Sequence, residues 1–156
     1  MKNLLLTAAV LLATTSAFAA PTGSAQLTIT GTVAENNNVL ITDNGVNMPI
    51  VAGGTVAAAS VAESSNRLTG YKIQLSSAKS SKLGIGTSTS PTYFTTYTVA
   101  YDGGAPISLS TTPVTVKSVS TYVTADVSPL SVTVAPFAAA PAGTYSDTIT
   151  VAISAP

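Results

Sequence analysis

The residue types that most often carry catalysis are missing from this chain. Its 156 residues contain no histidine and no cysteine, which removes the Ser-His-Asp and Cys-His nucleophile arrangements, the usual zinc ligands and the commonest general base. Most of the six carboxylates stand beside Gly, Asn or Ser, which is typical of turns and solvated faces; they are Glu35, Asp43, Glu63, Asp102, Asp126 and Asp147. We therefore expect no enzymatic activity, no cofactor and no metal site.

Two short patterns suggest chemistry, and both have a simpler interpretation. Ser76 and Lys79 match the Ser-x-x-Lys of penicillin-recognising enzymes, but the companion Ser-Asp-Asn and Lys-Thr-Gly elements of those enzymes are absent. We interpret this stretch as a solvated loop after a strand. Thr-x-Thr pairs at residues 28–30 and 148–150 could form a ladder that binds ice or carbohydrate. Because no regular repeat stacks them, we interpret them as ordinary solvent-side threonines of strands.

The N-terminus predicts an export signal. Lys2 supplies a positive start, residues 4–13 are uncharged and mostly apolar, and Ala17-Phe18-Ala19 supplies the small residues that signal peptidase recognises. An apolar run of about ten residues is too short to span a membrane, which takes about 20. We therefore expect residues 1–19 to be a cleaved signal peptide and the mature chain to enter the periplasm without membrane insertion.

The composition of the remaining chain predicts one domain held together without disulfides. Five basic and six acidic residues are scattered along it without a cluster, so we expect neither nucleic acid nor an anionic membrane as a partner. Charged residues make up 8% of the sequence, and few charges mean little repulsion between copies. Such a chain is suited to assembly.

The hydrophobic pattern predicts short β-strands. Residues 26–33 alternate Leu27, Ile29, Gly31 and Val33 with threonines, which is the period of a strand with one buried face. Asp102-Gly103-Gly104 predicts a hairpin turn. Further strands are predicted at residues 39–41, 71–75, 93–101, 107–109, 114–123, 130–134 and 145–153, with a break at Ser128-Pro129. Residues 56–63 are the one stretch where a helix of one or two turns is an alternative to β-structure, because their composition favours helix. Seven or eight such strands predict an all-β sandwich.

The ending Gly143-x-Tyr145-x-Asp147-x-Ile149-x-Val151 resembles the C-terminal strand of chaperone-usher pilins. The resemblance implies an incomplete immunoglobulin-like sandwich with an N-terminal donor-strand extension. Its domains would be residues 1–19 as signal peptide, 20–35 as donor-strand extension and 36–156 as pilin-like sandwich. Under this resemblance the donor side chains, which enter a neighbour's groove, are Ala25, Leu27, Ile29, Gly31 and Val33. The acceptor strand carries Gly143, Tyr145, Ile149, Val151 and Ile153. The pattern alone leaves open that residues 26–33 are a first strand in their own sheet.

The resemblance also implies a function and partners. The chain would be a structural subunit of a surface fimbria or pilus that supports adhesion, with copies of itself, a periplasmic chaperone and an outer-membrane usher as partners. One alternative is a single-domain adhesin that binds a host glycan or protein receptor. In that case Tyr93, Phe94, Tyr97 or Tyr101 could stack on a sugar. Another alternative is a self-complete secreted sandwich similar to spore-coat proteins.

Overall fold

A computed structural model describes residues 26–156, and every regular element in them is a β-strand. The chain divides into two units, Met1–Thr32 and Val33–Pro156. The predicted signal peptide, residues 1–19, and the predicted donor residue Ala25 lie outside the described residues. Of the first unit, residues 26–32 are described, and they form no strand. The strand that the alternation predicts over residues 26–33 is therefore not formed within this single chain.

Nine strands form two packed antiparallel sheets in the second unit, which confirms the predicted all-β sandwich. The strands are β1 (Asn37–Asp43), β2 (Gly54–Ser65), β3 (Tyr71–Ser77), β4 (Lys82–Ile85), β5 (Phe94–Tyr101), β6 (Val114–Val119), β7 (Val123–Val134), β8 (Tyr145–Ser146) and β9 (Ile149–Ser154). The larger sheet has the order β1-β2-β7-β5-β4-β8, and the smaller sheet has the order β6-β3-β9. Residues 26–156 contain no helix that is long and apolar enough to cross a membrane.

The core lies between the sheets and is built by alternate residues of the central strands. Tyr71, Ile73 and Leu75 of β3 are fully buried, whereas Lys72 and Gln74 between them are partly exposed. The larger sheet contributes Val61, Tyr97, Val99, Tyr101, Leu130, Val132 and Val134 to the same core. Each fully buried aliphatic side chain stabilises the fold by about 1.5–3 kcal/mol. This buried layer holds a cysteine-free chain together.

Residues 56–63, which have a helix-forming composition, lie within β2. This strand pairs with β1 on one side and with β7 on the other. Helix propensities of ordinary residues differ by at most about 0.7 kcal/mol each. Two ladders of backbone hydrogen bonds, together with the burial of Val61, outweigh that preference. The helical alternative is therefore wrong.

Strand β7 continues through Ser128 and Pro129, so the predicted break there is wrong. The carbonyl oxygen of Pro129 accepts a hydrogen bond from the backbone N–H of Asp102 at 2.9 Å. The N and C=O of one strand residue face the same side, so the position of the missing N–H faces the end of β5. The β5 ladder has already ended there, at Tyr101 opposite Leu130. A proline is tolerated because no ladder bond is lost.

The turn predicted at residues 102–104 is confirmed. Asp102 and Gly103 have φ values of 51° and 73°, and the Gly104 N–H donates to the Tyr101 carbonyl at 2.8 Å. Two consecutive positive φ values are typical of the primed turns that connect hairpin strands. Beyond the turn, the predicted strand at residues 107–109 is reduced to an isolated bridge between Ile107 and Val99.

The C-terminal stretch forms two strands in different sheets, although the sequence predicts one strand over residues 145–153. β8 pairs with β4 in the larger sheet, and β9 pairs with β3 in the smaller sheet. Tyr145 therefore does not share a strand face with Ile149, Val151 and Ile153, and that part of the prediction is wrong.

Asp147 lies where the chain passes from one sheet to the other. Its carboxylate accepts hydrogen bonds from the Ser77 hydroxyl at 2.6 Å, the Tyr97 hydroxyl at 2.7 Å and the Lys79 backbone N–H at 2.9 Å. It also accepts from the backbone N–H of Thr148 at 2.7 Å. Ser77 belongs to the smaller sheet and Tyr97 to the larger one, so this carboxylate joins the two sheets at the start of β9.

Candidate functional site

Strand β9 forms an open edge of the smaller sheet. Its strand partner among residues 26–156 is β3. On the β3 side the Ala78 N–H donates to the Thr148 carbonyl at 3.0 Å. Because backbone groups alternate sides along a strand, those of Ile149, Val151 and Ile153 face away from β3. These three residues present their N–H and C=O groups to an edge that has no neighbouring strand in the described part of the chain.

The same three residues of β9 turn their side chains towards the core. Ile149, Val151 and Ile153 all pack against the buried cluster, yet each remains partly exposed. A central strand such as β3 buries its inward residues completely. The difference is that, within residues 26–156, a strand pairs with β9 on one side only, so the described part of the core is incompletely closed at this edge.

Strand β1 forms the open edge of the larger sheet on the same side of the sandwich. Its described strand partner is β2. The Asn44 N–H donates to the Ala58 carbonyl on the β2 side at 3.0 Å, so the backbone groups of Val39 and Ile41 face away from β2. Cα atoms of β1 and β9 come within 8 Å of one another, whereas packed sheets lie about 10 Å apart. The two open edges therefore border a narrow cleft.

A cavity of about 230 Å³ lies in this cleft, which is called the edge cleft below. The core residue Leu130 is part of its lining, and Ile41, whose side chain is 45% exposed, lies beside it. The full lining is Ile41, Asp43, Ala58, Ala59, Leu130, Asp147, Ile149 and Val151. Six of these eight side chains are apolar. The edge cleft offers hydrogen-bonding backbone along its border and an apolar interior, which is what an additional β-strand binds.

The predicted acceptor residues fall into two groups. Ile149, Val151 and Ile153 lie on β9, beside the edge cleft. Gly143 precedes β8, where a Cβ would stand 2.8 Å from the Cδ1 at the end of the Ile85 side chain, so a larger residue there would displace that side chain. Tyr145 belongs to β8, and its hydroxyl donates to the Pro141 carbonyl at 3.0 Å.

The predicted donor residues within the described part of the chain are exposed. The exposed fractions of the side chains of Leu27, Ile29 and Val33 are 85%, 87% and 88%. A Cβ added to Gly31 would meet no atom within 4 Å. A run of large apolar side chains is thus left in water, and no neighbouring atom requires glycine at position 31.

A buried polar cluster connects the two sheets at a site that the sequence pattern does not indicate. Glu63 of β2 is 2% exposed. Its carboxylate accepts hydrogen bonds from the hydroxyl of Tyr71 at 2.7 Å and from the hydroxyl of Tyr101, and it lies 3.3 Å from the Nζ of Lys117. The expectation of a turn or a solvated face is therefore wrong for Glu63. The pattern Val61-x-Glu63-x-Ser65, with glutamate on the inward face, is a sequence signal that could have found it.

Lys117 is held by three carboxylates. Its Nζ lies 2.7 Å from Asp126 and 3.1 Å from Asp102, in addition to Glu63. Burial alone would lower the pKa of Lys117, but the hydrogen bonds to Asp126 and Asp102 and the charge of Glu63 raise it above its usual value. The hydrogen bond from Lys117 in turn lowers the pKa of Asp126. Within residues 26–156 no group of three or more His, Cys, Asp or Glu side chains is placed to hold a metal ion.

Alkaline pH is expected to unfold the sandwich together with the ionisation of three tyrosines. Burial, and in Tyr71 and Tyr101 the neighbouring Glu63, raises the pKa of Tyr71, Tyr97 and Tyr101 above the usual value of about 10. A group whose pKa is raised by folding stabilises the fold below its unfolded pKa, and this contribution is lost as the pH rises through the folded pKa. Tyrosinate absorbance should show three of the six tyrosines ionising only as the strand signal in circular dichroism disappears.

The urea-unfolded chain is the control for this titration, because all its tyrosines should ionise together at a pH of about 10. Ionisation of all six tyrosines at that pH in the folded chain, with the circular dichroism unchanged, would show that the hydroxyls are not buried.

Lys79 lies in a packed loop, so its interpretation as a solvated residue is wrong. The side chain is 7% exposed, and its Nζ donates to the carbonyls of Gly84, Gly86 and Ser146 at 3.3, 2.7 and 2.8 Å. Its three N–H groups are therefore used by main-chain carbonyls. This arrangement ties β4 to β8 and does not place the ammonium group to activate Ser76.

The aromatic residues predicted for an adhesin differ in exposure. Tyr97 and Tyr101 are core residues, whereas Tyr93 is 54% exposed. Phe94 is at the border of exposure and lies under the Nζ of Lys82, 4.9 Å from the ring centroid. The chain matches no protein-family model and no curated protein sequence.

Proposed function

We propose that this chain is a structural subunit of a bacterial surface fibre, assembled by donor-strand exchange and supporting adhesion. Residues 1–19 direct export to the periplasm. A periplasmic chaperone first covers the open edge of β9, and at an outer-membrane usher the N-terminal tail of the next copy replaces the chaperone. The donor strand is residues 26–33, and the acceptor is the edge cleft between β1 and β9.

The observation that carries the proposal is the open edge of β9 beside an apolar cleft. A strand added along β9 would bond the outward N–H and C=O groups of Ile149, Val151 and Ile153, and its apolar face would cover the cavity that reaches Leu130. Six residues of β9 extend over about 20 Å. The eight residues 26–33 are long enough to match them.

The tail of the same chain supplies complementary chemistry. Burial of Leu27, Ile29 and Val33, which are exposed in the single chain, would contribute about 1.5–3 kcal/mol for each side chain. No contact in its own surroundings requires a glycine at position 31. In a donor strand, however, a glycine allows close approach where the acceptor leaves no room for a side chain. The exposed tail and the open cleft are therefore two halves of one interface.

Val151→Pro is expected to block assembly while leaving the sandwich folded. The N–H of Val151 faces the open edge, so proline removes a donor that β3 does not use, and its ring occupies the path of the incoming strand. We expect the polymer yield to fall by at least about tenfold, which corresponds to the loss of a backbone hydrogen bond with added steric conflict. The yield is measured as detergent-resistant polymer from cells that contain the chaperone and usher.

Val151→Ala is the control, because it removes more of the apolar side chain from the cleft than proline does and yet keeps the N–H. It should assemble at close to the normal yield and match Val151→Pro in circular dichroism of the monomer. Equal polymer yields from the two variants would show that the edge of β9 is not the acceptor.

A further inference from the structure

The proposed function leaves a choice of acceptor, because residues 26–33 could enter the edge cleft of their own chain as well as that of another copy. The tail ends at Val33, and β1 begins at Asn37. To lie along β9 beside β1, the tail of the same chain must reverse its direction within residues 34–36. Hairpin loops of two to five residues are common, so chain length alone does not prevent this reversal.

Residues 34–36 are instead held in line with β1 by the loop that follows β2. The backbone of Asn36 both donates to the side-chain Oδ1 of Asn66 at 2.7 Å and accepts from the Asn66 N–H at 3.1 Å. The Nδ2 of Asn66 donates to the carbonyl of Ala34 at 2.7 Å. These contacts continue the ladder that pairs Asn37 with Ser65. The side-chain amide of Asn66 takes the place of a strand's peptide group.

An ion pair between Arg67 and Glu35 also holds residues 34–36 in this position. The Nη1 of Arg67 lies 2.5 Å from the Oε2 of Glu35, and the Nδ2 of Asn37 donates to the other carboxylate oxygen at 2.6 Å. The hydrogen bond from Arg67 lowers the pKa of Glu35, and the hydrogen bond from Asn37 acts in the same direction. Both side chains of the ion pair are partly exposed, so the pair contributes little to stability and mainly helps to orient residues 34–36. We call the contacts of Asn66 and Arg67 with residues 34–36 the entry clamp.

The entry clamp and a self-inserted tail exclude one another. Reversal within residues 34–36 turns the carbonyl of Ala34 and the backbone of Asn36 away from the β2 side, so the three Asn66 bonds break. An incoming strand from another copy requires no change in these residues. The clamp therefore weakens self-insertion without weakening exchange between copies.

We propose that the entry clamp directs the tail to a second copy of this chain by opposing insertion into its own cleft. Asn66 and Arg67 are then positioning residues for assembly. They act on the choice between self-insertion and exchange, and they contribute nothing to the cleft itself. This inference rests on the proposed function, since it concerns the same tail and cleft.

The test compares the full chain with the double variant Asn66→Ala, Arg67→Ala. We expect the ratio of folded monomer to detergent-resistant polymer to rise by about tenfold, which corresponds to the loss of one or two hydrogen bonds that oppose self-insertion. In the monomer fraction of the variant, the amides of residues 27–33 should become protected from hydrogen exchange, and this protection should not change on dilution. Asn38→Ala, which removes an exposed amide from β1, is the matched control and should behave as the wild type.

A second variant keeps the clamp intact and so does not depend on how the double variant folds. Insertion of Gly-Ser-Gly between Val33 and Ala34 lets the tail reverse before the clamp, and it should raise the monomer fraction in the same way. The same insertion between Thr22 and Gly23 lies before the donor strand and should have no such effect. Wild-type assembly with unchanged ratios and unprotected tail amides in the clamp and Val33 insertion variants would overturn the role of the clamp. A wild-type chain that forms no polymer at all would instead overturn the proposed function.

Discussion

A chain that lacks residues 20–33 is expected to form no polymer while its monomer keeps the sandwich fold. In residues 26–156 the nine strands and the buried core all lie within residues 37–154, so the described part of the deleted segment, residues 26–33, contains no strand and no core side chain. The deletion does remove the exposed apolar row of Leu27, Ile29 and Val33. Polymer is measured on detergent gels without heating, and the fold is measured by circular dichroism of the chaperone-bound monomer.

Two point variants test whether the apolar face of the tail, rather than its threonine face, binds the neighbouring copy. Ile29→Asp places a charge where the proposed interface is apolar, and burying an unpaired carboxylate costs several kcal/mol. We expect its polymer yield to fall by at least about a hundredfold. Thr30→Asp, on the opposite face, is the matched control and should change the yield by less than about threefold. Polymer that survives the deletion, or equal effects of the two substitutions, would contradict the donor role of residues 26–33.

Glu63→Ala is expected to be the most damaging single substitution in the buried polar cluster. It leaves the ammonium group of Lys117 with two exposed partners and leaves the hydroxyls of Tyr71 and Tyr101 without their acceptor. Removal of one partner from a buried ion pair costs about 3–5 kcal/mol. For a domain of this size, that loss should lower the Tm by more than about 10 °C, which calorimetry or thermal circular dichroism would measure.

Asp126→Ala is the control for Glu63, because its carboxylate also bonds Lys117 but is 45% exposed. Exposed ion pairs contribute about 0–1 kcal/mol, so its Tm should fall by a few degrees at most. If the two variants lose the same stability, the cluster around Glu63 does not connect the sheets in the way the geometry indicates.

The strand content of this fold was accessible from the sequence because burial follows residue periodicity. Residues 71–75 alternate in the sequence, and their inward members are completely buried in β3. The turn at Asp102-Gly103 was accessible for a similar reason, since few residues tolerate two positive φ values in succession. Both features are local, and a single sequence contains all the information that they require.

The errors arise where a distant contact decides the local structure. Residues 56–63 form a strand because β1 and β7 pair with them. Pro129 stays within a strand because the neighbouring ladder ends one residue earlier. The C-terminal stretch forms two strands, β8 and β9, on either side of Asp147, because hydroxyls from both sheets donate to the Asp147 carboxylate. None of these partners lies near in sequence, so composition and alternation do not predict them.

The candidate site shows the same division. The apolar face of β9 follows from the alternation of Ile149, Val151 and Ile153, but the open edge follows from sheet order, which the pattern does not contain. The entry clamp depends on an amide 30 residues away from the backbone that it holds. The strand pattern therefore identifies the two apolar segments that the proposed interface would join, whereas the open edge of β9 and the entry clamp depend on tertiary contacts.

The central claim is that the tail of one copy binds the edge cleft of another, and the most direct measurement adds the missing strand back. The chain without residues 20–33 is released from its chaperone in the presence of a synthetic peptide of residues 20–33. We expect a complex of one peptide with one chain, a higher Tm, and hydrogen-exchange protection of the outward amides of Ile149, Val151 and Ile153. The peptide with Ile29→Asp should produce none of these changes. Absence of binding by the natural peptide, or protection elsewhere than along β9, would contradict the account.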